Sequence, residues 1–200
     1  MNRRDAVRML ASSALVPLAT PRSSLAQAPG GARFPAKPLR LIVPFPAGGP
    51  TDVFGRVYGQ GLAEVLGQPV IVENKSGASG VTGTLEAMRA AADGYTLLFG
   101  TASTNALYAL MAKPPVYDVL RDFAPLGIIG GAPIVMSVNP SMPKSLKTMI
   151  YLAKANPGKS TYGSPGTGTL MHLAVEEMKR RTGVDILHVP FRGSAQTLPA

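Results

Sequence analysis

The sequence predicts an α/β protein with mostly parallel sheets arranged in two lobes. From about residue 38 onward, short apolar runs typical of strands alternate with helical patterns. Glycine-rich turns follow several of the strand-like runs, and the alternation restarts after a break near Asn139. Strands separated by helices of this length form parallel sheets covered on both faces. We therefore expect one lobe over residues 27–138 and a second over 139–200.

The first 26 residues have the pattern of an export signal. A basic start with Arg3, Arg4 and Arg8 precedes the mildly apolar run 9–19, and Ser24–Ala26 fits a cleavage site before Gln27. The apolar run is much shorter than the roughly 20 residues that span a bilayer. We expect cleavage after about Ala26 and a periplasmic location, with the twin-arginine and Sec routes both open.

Composition excludes several classes of protein. The 200 residues are 46% hydrophobic and 16% charged, enough to bury a core, and the formal charge of +9 falls to +6 once the four arginines and one aspartate of residues 1–26 are removed. The basic residues are scattered without interleaved aromatics, so we expect no nucleic-acid partner. There is no cysteine, and His172 and His188 lie too far apart for a local zinc motif. We predict no metal and no cofactor.

The first predicted strand and helix flank a stiff turn. Leu39–Val43 is a short apolar strand, and the "PFPAGGPTD" turn that follows cannot continue it. Thr51 is predicted to N-cap a helix reaching Leu66. Its apolar face is expected to contain Val53, Val57, Leu62 and Val65. Gly59 and Gly61 weaken this helix by about 1 kcal/mol each, unless another segment packs close to its backbone.

The rest of the first lobe repeats the strand–turn–helix order. A second strand covers 68–73 and is followed by the turn "NKSGASG" and a helix over 81–92. A third strand, "YTLLFG", leads through "TASTN" into a helix over 106–112. Two apolar runs, 126–129 and 134–138, lie on either side of a glycine pair.

The second lobe starts with a helix capped by Ser145. A short strand over 160–162 then leads into the glycine-rich turn "GSPGTGT" and an amphipathic helix over 169–182. A strand over 186–189 and the turn "PFRGSAQ" begin one more unit. We expect this lobe to be incomplete and the chain to be truncated at its C-terminal end.

The glycine turns do not match three common catalytic or nucleotide-binding motifs. A P-loop needs a lysine that neither "PAGGPTD" nor "GSPGTGT" contains. Gly163, Gly166 and Gly168 do not have the G-x-G-x-x-G spacing, and no serine lies in G-x-S-x-G. Each motif lacks a residue that its chemistry requires.

A simpler explanation for the glycine content of these turns is that it exposes backbone N–H groups. A helix start leaves N–H groups unpaired at the positive end of its dipole, and several starts facing one cleft would bind a carboxylate. Hydroxyl and amide side chains at these starts add donors: Thr51, Thr101, Ser103, Thr104, Asn105, Ser164, Thr167 and Thr169. Any one of them also suits an ordinary helix cap.

Two ionisable residues have open roles. Asp52 either favours the helix dipole from the first turn or accepts a hydrogen bond from a ligand. His172 either is a satisfied structural histidine or lies against the ligand. As an acid/base pair, the two residues would suit a periplasmic enzyme acting on a small carboxylic acid.

The segments "LRLIVPFPAGGPTDVFGRVYGQGLAEVLGQPVIVENKSGASG", "ADGYTLLFGTAST", "VYDVLRDFAPLG" and "KANPGKSTYGSPGTGTLMHLAVEEMKRRTGVDILHVPFRGSA" resemble the Bug family. These are periplasmic substrate-binding proteins of tripartite tricarboxylate transporters, similar to TctC. The resemblance runs from about Pro38 to the last residue. It implies a two-lobed, type II periplasmic-binding-protein-like fold that closes on a small carboxylate.

The resemblance also implies a ligand site. Two loops would grip the carboxylate, largely through ordered waters, and the turn 190–193 would line the cleft. The implied contacts are Pro46, Ala47, Gly48, Gly49, Thr51, Asp52, Thr101, Ser103, Ser164, Gly166, Thr167, Gly168 and Thr169, with His172 nearby. Phe191 and Arg192 replace the usual Tyr-Lys, and Leu170 and Met171 replace small polar residues.

The sequence thus favours a solute-binding protein, and not an enzyme. Its ligand would be a di- or tricarboxylate, an amino acid or an aromatic acid. Its partner would be a tripartite membrane transporter or a sensor kinase. The competing hypotheses are the periplasmic enzyme and a truncated remnant that does not bind.

Overall fold

The computed structural model describes residues 34–199, which form one compact unit. The predicted export signal lies outside these residues. Strands β1 to β3 are Leu39–Val43, Val70–Asn74 and Thr96–Leu98. Strands β4 and β5 are Ser160–Ser164 and Ile186–Pro190.

Seven α-helices connect or follow these strands in the described range. The longer helices are α1, Pro50–Leu66, α2, Val81–Arg89, α5, Leu146–Ala155, and α6, Leu170–Thr182. The four-residue helices are α3, Tyr108–Met111, α4, Val119–Asp122, and α7, Ser194–Thr197. A 3₁₀ turn, Ala78–Gly80, precedes α2, and a π-helical turn, Ser103–Leu107, precedes α3.

The strands form two separate parallel sheets. The first has the order β2-β1-β3, and the second pairs β4 with β5. Arg40 is registered with Ile71 on one side and Thr96 on the other, and Tyr162 is registered with His188. The prediction of an α/β fold with parallel sheets is therefore confirmed. Because all strands within a sheet run the same way, the turns after them collect at the same edge.

Strand β1 is the centre of the first sheet and its most buried element. Leu39, Leu41, Ile42 and Val43 are at most 2% exposed. A central strand with helices on its faces needs this nearly continuous apolar sequence, which is why its bounds could be predicted correctly. The turn that follows β1 is anchored by a strand with almost no exposed surface.

Helix α1 packs on this sheet through glycine. Its buried residues are Asp52, Gly55 and Gly59, whereas Val53, Val57 and Val65 are 53–84% exposed. A Cβ atom at Gly55 would lie 2.8 Å from Val43 Cγ2. The expected valine face is therefore wrong, because the helix approaches the sheet too closely for side chains at the contact.

One other expectation about local structure needs correction. Gly49, not Thr51, is the N-cap of α1, and Thr51 lies within the first turn. The apolar runs at 126–129 and 134–138 form no strand, and Leu126, Ile128 and Val135 are 77–95% exposed. No described helix is long and apolar enough to cross a membrane.

Candidate functional site

A small cleft of about 60 Å³, partly open to solvent, lies where the turns after four strands meet. These turns follow β1, β3, β4 and β5, so both sheets contribute to the walls. The lining residues are Phe45, Pro46, Gly49, Pro50, Thr51, Thr101, Ser103, Pro165, Thr169, Met171 and Ser194. None of these lining side chains carries a charge.

Two long helices begin at the cleft. Gly49, the N-cap of α1, and Thr169, the N-cap of α6, are both lining residues. With 17 and 13 residues, both helices have a developed dipole whose positive end lies at the N-terminus. Each helix start therefore favours negative charge in the cleft.

Several donors at these helix starts remain available. Within residues 34–199, the N–H groups of Gly49, Thr51 and Met171 donate to no protein acceptor. The hydroxyl of Ser103 accepts the N–H of Leu170 at 3.0 Å, which leaves its own proton to donate. These groups surround the cleft with hydrogen-bond donors and no carboxylate, as an anionic ligand requires.

The loop after β1 is shaped by Asp52. Its carboxylate accepts hydrogen bonds from the Gly48 N–H at 2.9 Å, from Asn74 Nδ2 at 2.9 Å and from Arg56 Nε at 3.1 Å. Burial raises the pKa of Asp52, but the bonds from Arg56, Gly48 and Asn74 outweigh burial and leave the pKa below its usual value. Because Asp52 binds the Gly48 N–H, this group is not among the exposed backbone donors that were expected in the glycine turns.

The loop after β4 is built on the same plan. The Gly168 N–H donates to His172 Nδ1 at 3.1 Å, four residues further on, as Gly48 does to Asp52. Gly48 and Gly168 have φ angles of 79° and 80°, a left-handed conformation that favours glycine. In each loop, a glycine immediately before the N-cap is held by a side chain in the first turn of the helix that follows.

The rest of the second loop is also satisfied internally. Ser164 Oγ bonds the Gly166 backbone and lies 2.7 Å from His188 Nε2, and Thr169 Oγ1 donates to the Gly166 carbonyl at 2.7 Å. Ser164 and Thr169 are only 1% exposed. These residues therefore give the loop its shape, and few of their polar atoms remain for a ligand.

A hydrogen bond also joins the turn before α2 to the loop after β4. Ser79 Oγ donates to the Thr167 carbonyl at 2.6 Å. Ala78 and Ser79 both have positive φ angles, 45° and 55°, which are costly for residues other than glycine. The turn before α2 thus presents Ser79 to the loop after β4 at a conformational cost.

The structure brings together six of the residues that the resemblance implied: Pro46, Gly49, Thr51, Thr101, Ser103 and Thr169 line the cleft. The others form the loops behind it or lie at their surface: Ala47, Gly48, Asp52, Ser164, Gly166, Thr167, Gly168 and His172. Ser194 lies just after the turn 190–193 and lines the cleft in place of that turn. Pro50 and Pro165, which also line the cleft, lie within the loops 46–52 and 164–169 that the resemblance implied, and Phe45 and Met171 lie beside these loops.

No group of three or more His, Asp or Glu side chains in residues 34–199 has a geometry that could hold a metal ion. The charged clusters in this range are ion-paired instead. Arg40, Glu73, Glu86 and Lys75 form one such network across the first sheet. It lies on the strands and on α2, and none of its members lines the cleft.

Residues 54–200 match the sequence pattern of the tripartite tricarboxylate transporter family receptor, TctC. The chain belongs to this family. The curated relative BugT of Bordetella pertussis (strain Tohama I) is 42% identical over 163 residues, which are 80% of this chain and 50% of BugT. The chain therefore spans about half the length of the relative it matches, and the resemblance to the Bug family is confirmed.

Two solved structures are similar to this chain in fold and in sequence. Rpa4515 of R. palustris, solved with adipate, is 36% identical with a TM-score of 0.79. The periplasmic binding protein BugD is 30% identical with a TM-score of 0.70. The match covers 83% of this chain and 56% of the other chain in both cases. The α/β architecture of this chain is thus that of part of a periplasmic binding protein.

Proposed function

We propose that this TctC-family chain binds a small carboxylate in the cleft between the loops after β1, β3, β4 and β5. The supporting observation is the convergence of two helix N-termini and free donors on a cleft without charged side chains. An anion is the ligand that such a site accommodates best. Adipate in the related Rpa4515 structure supports a dicarboxylate as the ligand class.

Binding, and not catalysis, is the role favoured by the two ionisable residues near the cleft. Asp52 is 4% exposed and is occupied by Gly48, Asn74 and Arg56. His172 accepts the Gly168 N–H, and neither residue is among the lining side chains. A general acid or base must reach the substrate, so we assign Asp52 and His172 to loop support.

We further propose that the protein acts in the periplasm as the receptor of a tripartite transporter, with residues 1–26 as its export signal. The family description and BugD support this placement. Residues 27–138 and 139–200 would be its two lobes, with the first sheet in one and the second sheet in the other. A sensor kinase is the alternative partner for the loaded receptor.

Calorimetric titration of the whole chain with adipate tests the proposal. We expect saturable binding of adipate and none of adipamide, because only the diacid offers carboxylate oxygens to the helix N-termini. Product analysis after long incubation should recover the acid unchanged. Equal binding of adipate and adipamide, or no binding by any small carboxylate, would refute the carboxylate site.

A further inference from the structure

The loop after β4 rests on two stacked histidines. The rings of His172 and His188 are 4.1 Å apart between centroids, with an interplanar angle of 27°. His172 holds one end of the loop through the Gly168 N–H, and His188 holds the other end through Ser164 Oγ. Both rings therefore support the shape of the loop.

The bond to Gly168 fixes the neutral form of His172. Because Nδ1 accepts a backbone N–H, it carries no proton, and the proton of the neutral ring lies on Nε2. Nε2 lies 4.0 Å from Glu176 Oε1. A second proton can enter only at Nδ1, and there it would remove the acceptor that Gly168 uses.

The charged and titratable groups around the pair come from two elements, α6 and β4. On α6, Glu176 accepts Lys179 Nζ at 2.8 Å and the Tyr162 hydroxyl at 2.6 Å. Tyr162, on β4, stacks on His188 with centroids 4.8 Å apart. Glu176 favours a proton on the histidines, whereas Lys179 and the neighbouring ring oppose it.

The cluster has room for one added charge. Burial lowers the pKa of His188, and the charges of His172 and Lys179 lower it further against the opposing effect of Glu176. Two imidazolium rings at this separation would repel each other strongly. His172 faces Glu176 through Nε2, at 4.0 Å from Oε1.

The two loops differ in the side chain that holds the glycine before the N-cap. Asp52 holds Gly48 with a carboxylate whose pKa is lowered, so this bond persists throughout the neutral range. His172 holds Gly168 with a ring nitrogen of the one side chain that ordinarily titrates between pH 5 and 8. The loop after β1 is thus anchored by a carboxylate and the loop after β4 by an imidazole.

We propose that His172 is a positioning residue that makes carboxylate binding pH-dependent: the neutral ring holds Gly168 and shapes the loop that carries Pro165 and Thr169 into the cleft, and protonation at Nδ1 releases it. The inference rests on the proposed carboxylate site. His172 itself is not a lining residue, so it acts through the loop.

Binding of adipate measured across about pH 5.5 to 7.5 tests this role in the whole chain. We expect the dissociation constant to rise about threefold to tenfold toward acid pH. His172→Asn is the matched variant, since its Oδ1 can replace Nδ1 as an acceptor without titrating. The ratio of wild-type to variant dissociation constants cancels the ionisation of adipate itself. A constant ratio, or a ratio that shows tighter wild-type binding at acid pH, would overturn the proposal.

A second measurement needs neither a variant nor a ligand. In the wild-type chain labelled with ¹⁵N-glycine, the Gly168 amide signal should shift with pH at the same midpoint as the His172 ring signals. A Gly168 signal that stays constant while His172 titrates, or a His172 that does not titrate in this range, would contradict the role. Because the readout is free of ligand, it still decides the inference if no carboxylate binds and the proposed function fails.

Discussion

The Gly48 backbone N–H donates to the buried carboxylate of Asp52 at 2.9 Å, so the first turn of α1 ties down the loop that precedes it. Asn74, at the end of β2, donates to the same carboxylate and also to the Phe45 carbonyl. One acidic side chain thus links a strand, a helix and the turn that lines the cleft. This arrangement gives Asp52 a structural role that can be separated from ligand contact.

Replacing Asp52 with Asn should destabilise the protein at neutral pH by about 1–3 kcal/mol, because a buried charged acceptor with three donors is lost. Asp185→Asn is the matched control, since Asp185 is exposed and should change stability by less than about 0.5 kcal/mol. Urea unfolding measures both. If Asp52→Asn left stability unchanged but weakened adipate binding, Asp52 would have to contact the ligand.

The effect of Asp52 should also depend on pH. Its folded-state pKa is lowered, so its stabilising contribution is complete above the unfolded value of 3.8 and is lost as the pH falls through the lower folded value. The difference between wild type and Asp52→Asn should therefore shrink below about pH 4. A difference in unfolding free energy that stayed constant to pH 2 would contradict this linkage.

Glu73 should contribute a similar acid-sensitive stability from the first sheet. Two hydrogen bonds from Arg40, at 2.7 and 2.8 Å, lower the pKa of Glu73 to about 2, against the opposing effect of burial. The contribution is complete above the unfolded value of 4.5 and is lost between there and about pH 2. Because Arg40 is 40% exposed, we expect only about 1 kcal/mol from Glu73→Gln at neutral pH.

Acid titration of the unfolding free energy checks the Glu73 prediction. Glu64→Gln provides the control, because Glu64 lies on α1 and bonds only to Gln60 at 3.3 Å in the described range. The Glu73 variant should converge with wild type toward pH 2, and the Glu64 variant should follow wild type throughout. Parallel curves for wild type and Glu73→Gln would show that the Arg40 pair contributes nothing measurable.

The glycines of α1 should respond to alanine with opposite signs. At Gly55 a new Cβ would meet Val43 Cγ2 at 2.8 Å, and β-branched Val43 has little freedom to move. We expect Gly55→Ala to lower the free energy of unfolding by about 1–2 kcal/mol, a net value that includes the gain in helix propensity. At Gly61 nothing lies within 4 Å, so Gly61→Ala should stabilise by about 0.5–1 kcal/mol. Thermal unfolding of both variants measures these changes in stability. Stabilisation of the protein by Gly55→Ala would contradict the close contact between α1 and Val43.

The same helix shows where prediction from sequence failed. The bounds of strand β1 were predicted correctly, because a short, nearly continuous apolar run that ends at a proline-rich turn is typical of a buried strand. The buried face of α1 was predicted wrongly, since apolar periodicity counts side chains and does not register a face made of Gly55 and Gly59. Helix–sheet distance is a property of the assembled pair and cannot be read from one segment.

The cleft was predictable in position but not in its internal bonding. Parallel strands bring their following turns together, and Gly49, Thr101 and Thr169, which the resemblance implied as contacts, lie around one cleft. Sequence did not reveal that Gly48 and Gly168 donate to side chains four residues further on. An acidic residue or a histidine four positions after a glycine is too common a pattern to indicate a bond by itself.

Thr51 offers the sharpest single substitution at the ligand site. Its side chain lines the cleft and forms no hydrogen bond within residues 34–199, so Thr51→Val should leave the stability nearly unchanged. If the hydroxyl donates to a bound carboxylate, its loss should weaken adipate binding about tenfold or more, as expected for a hydrogen bond to a charged group. Thr148→Val is the control on α5, where Thr148 is exposed and remote from the lining residues. Equal dissociation constants for the two variants would place the carboxylate away from the N-terminus of α1.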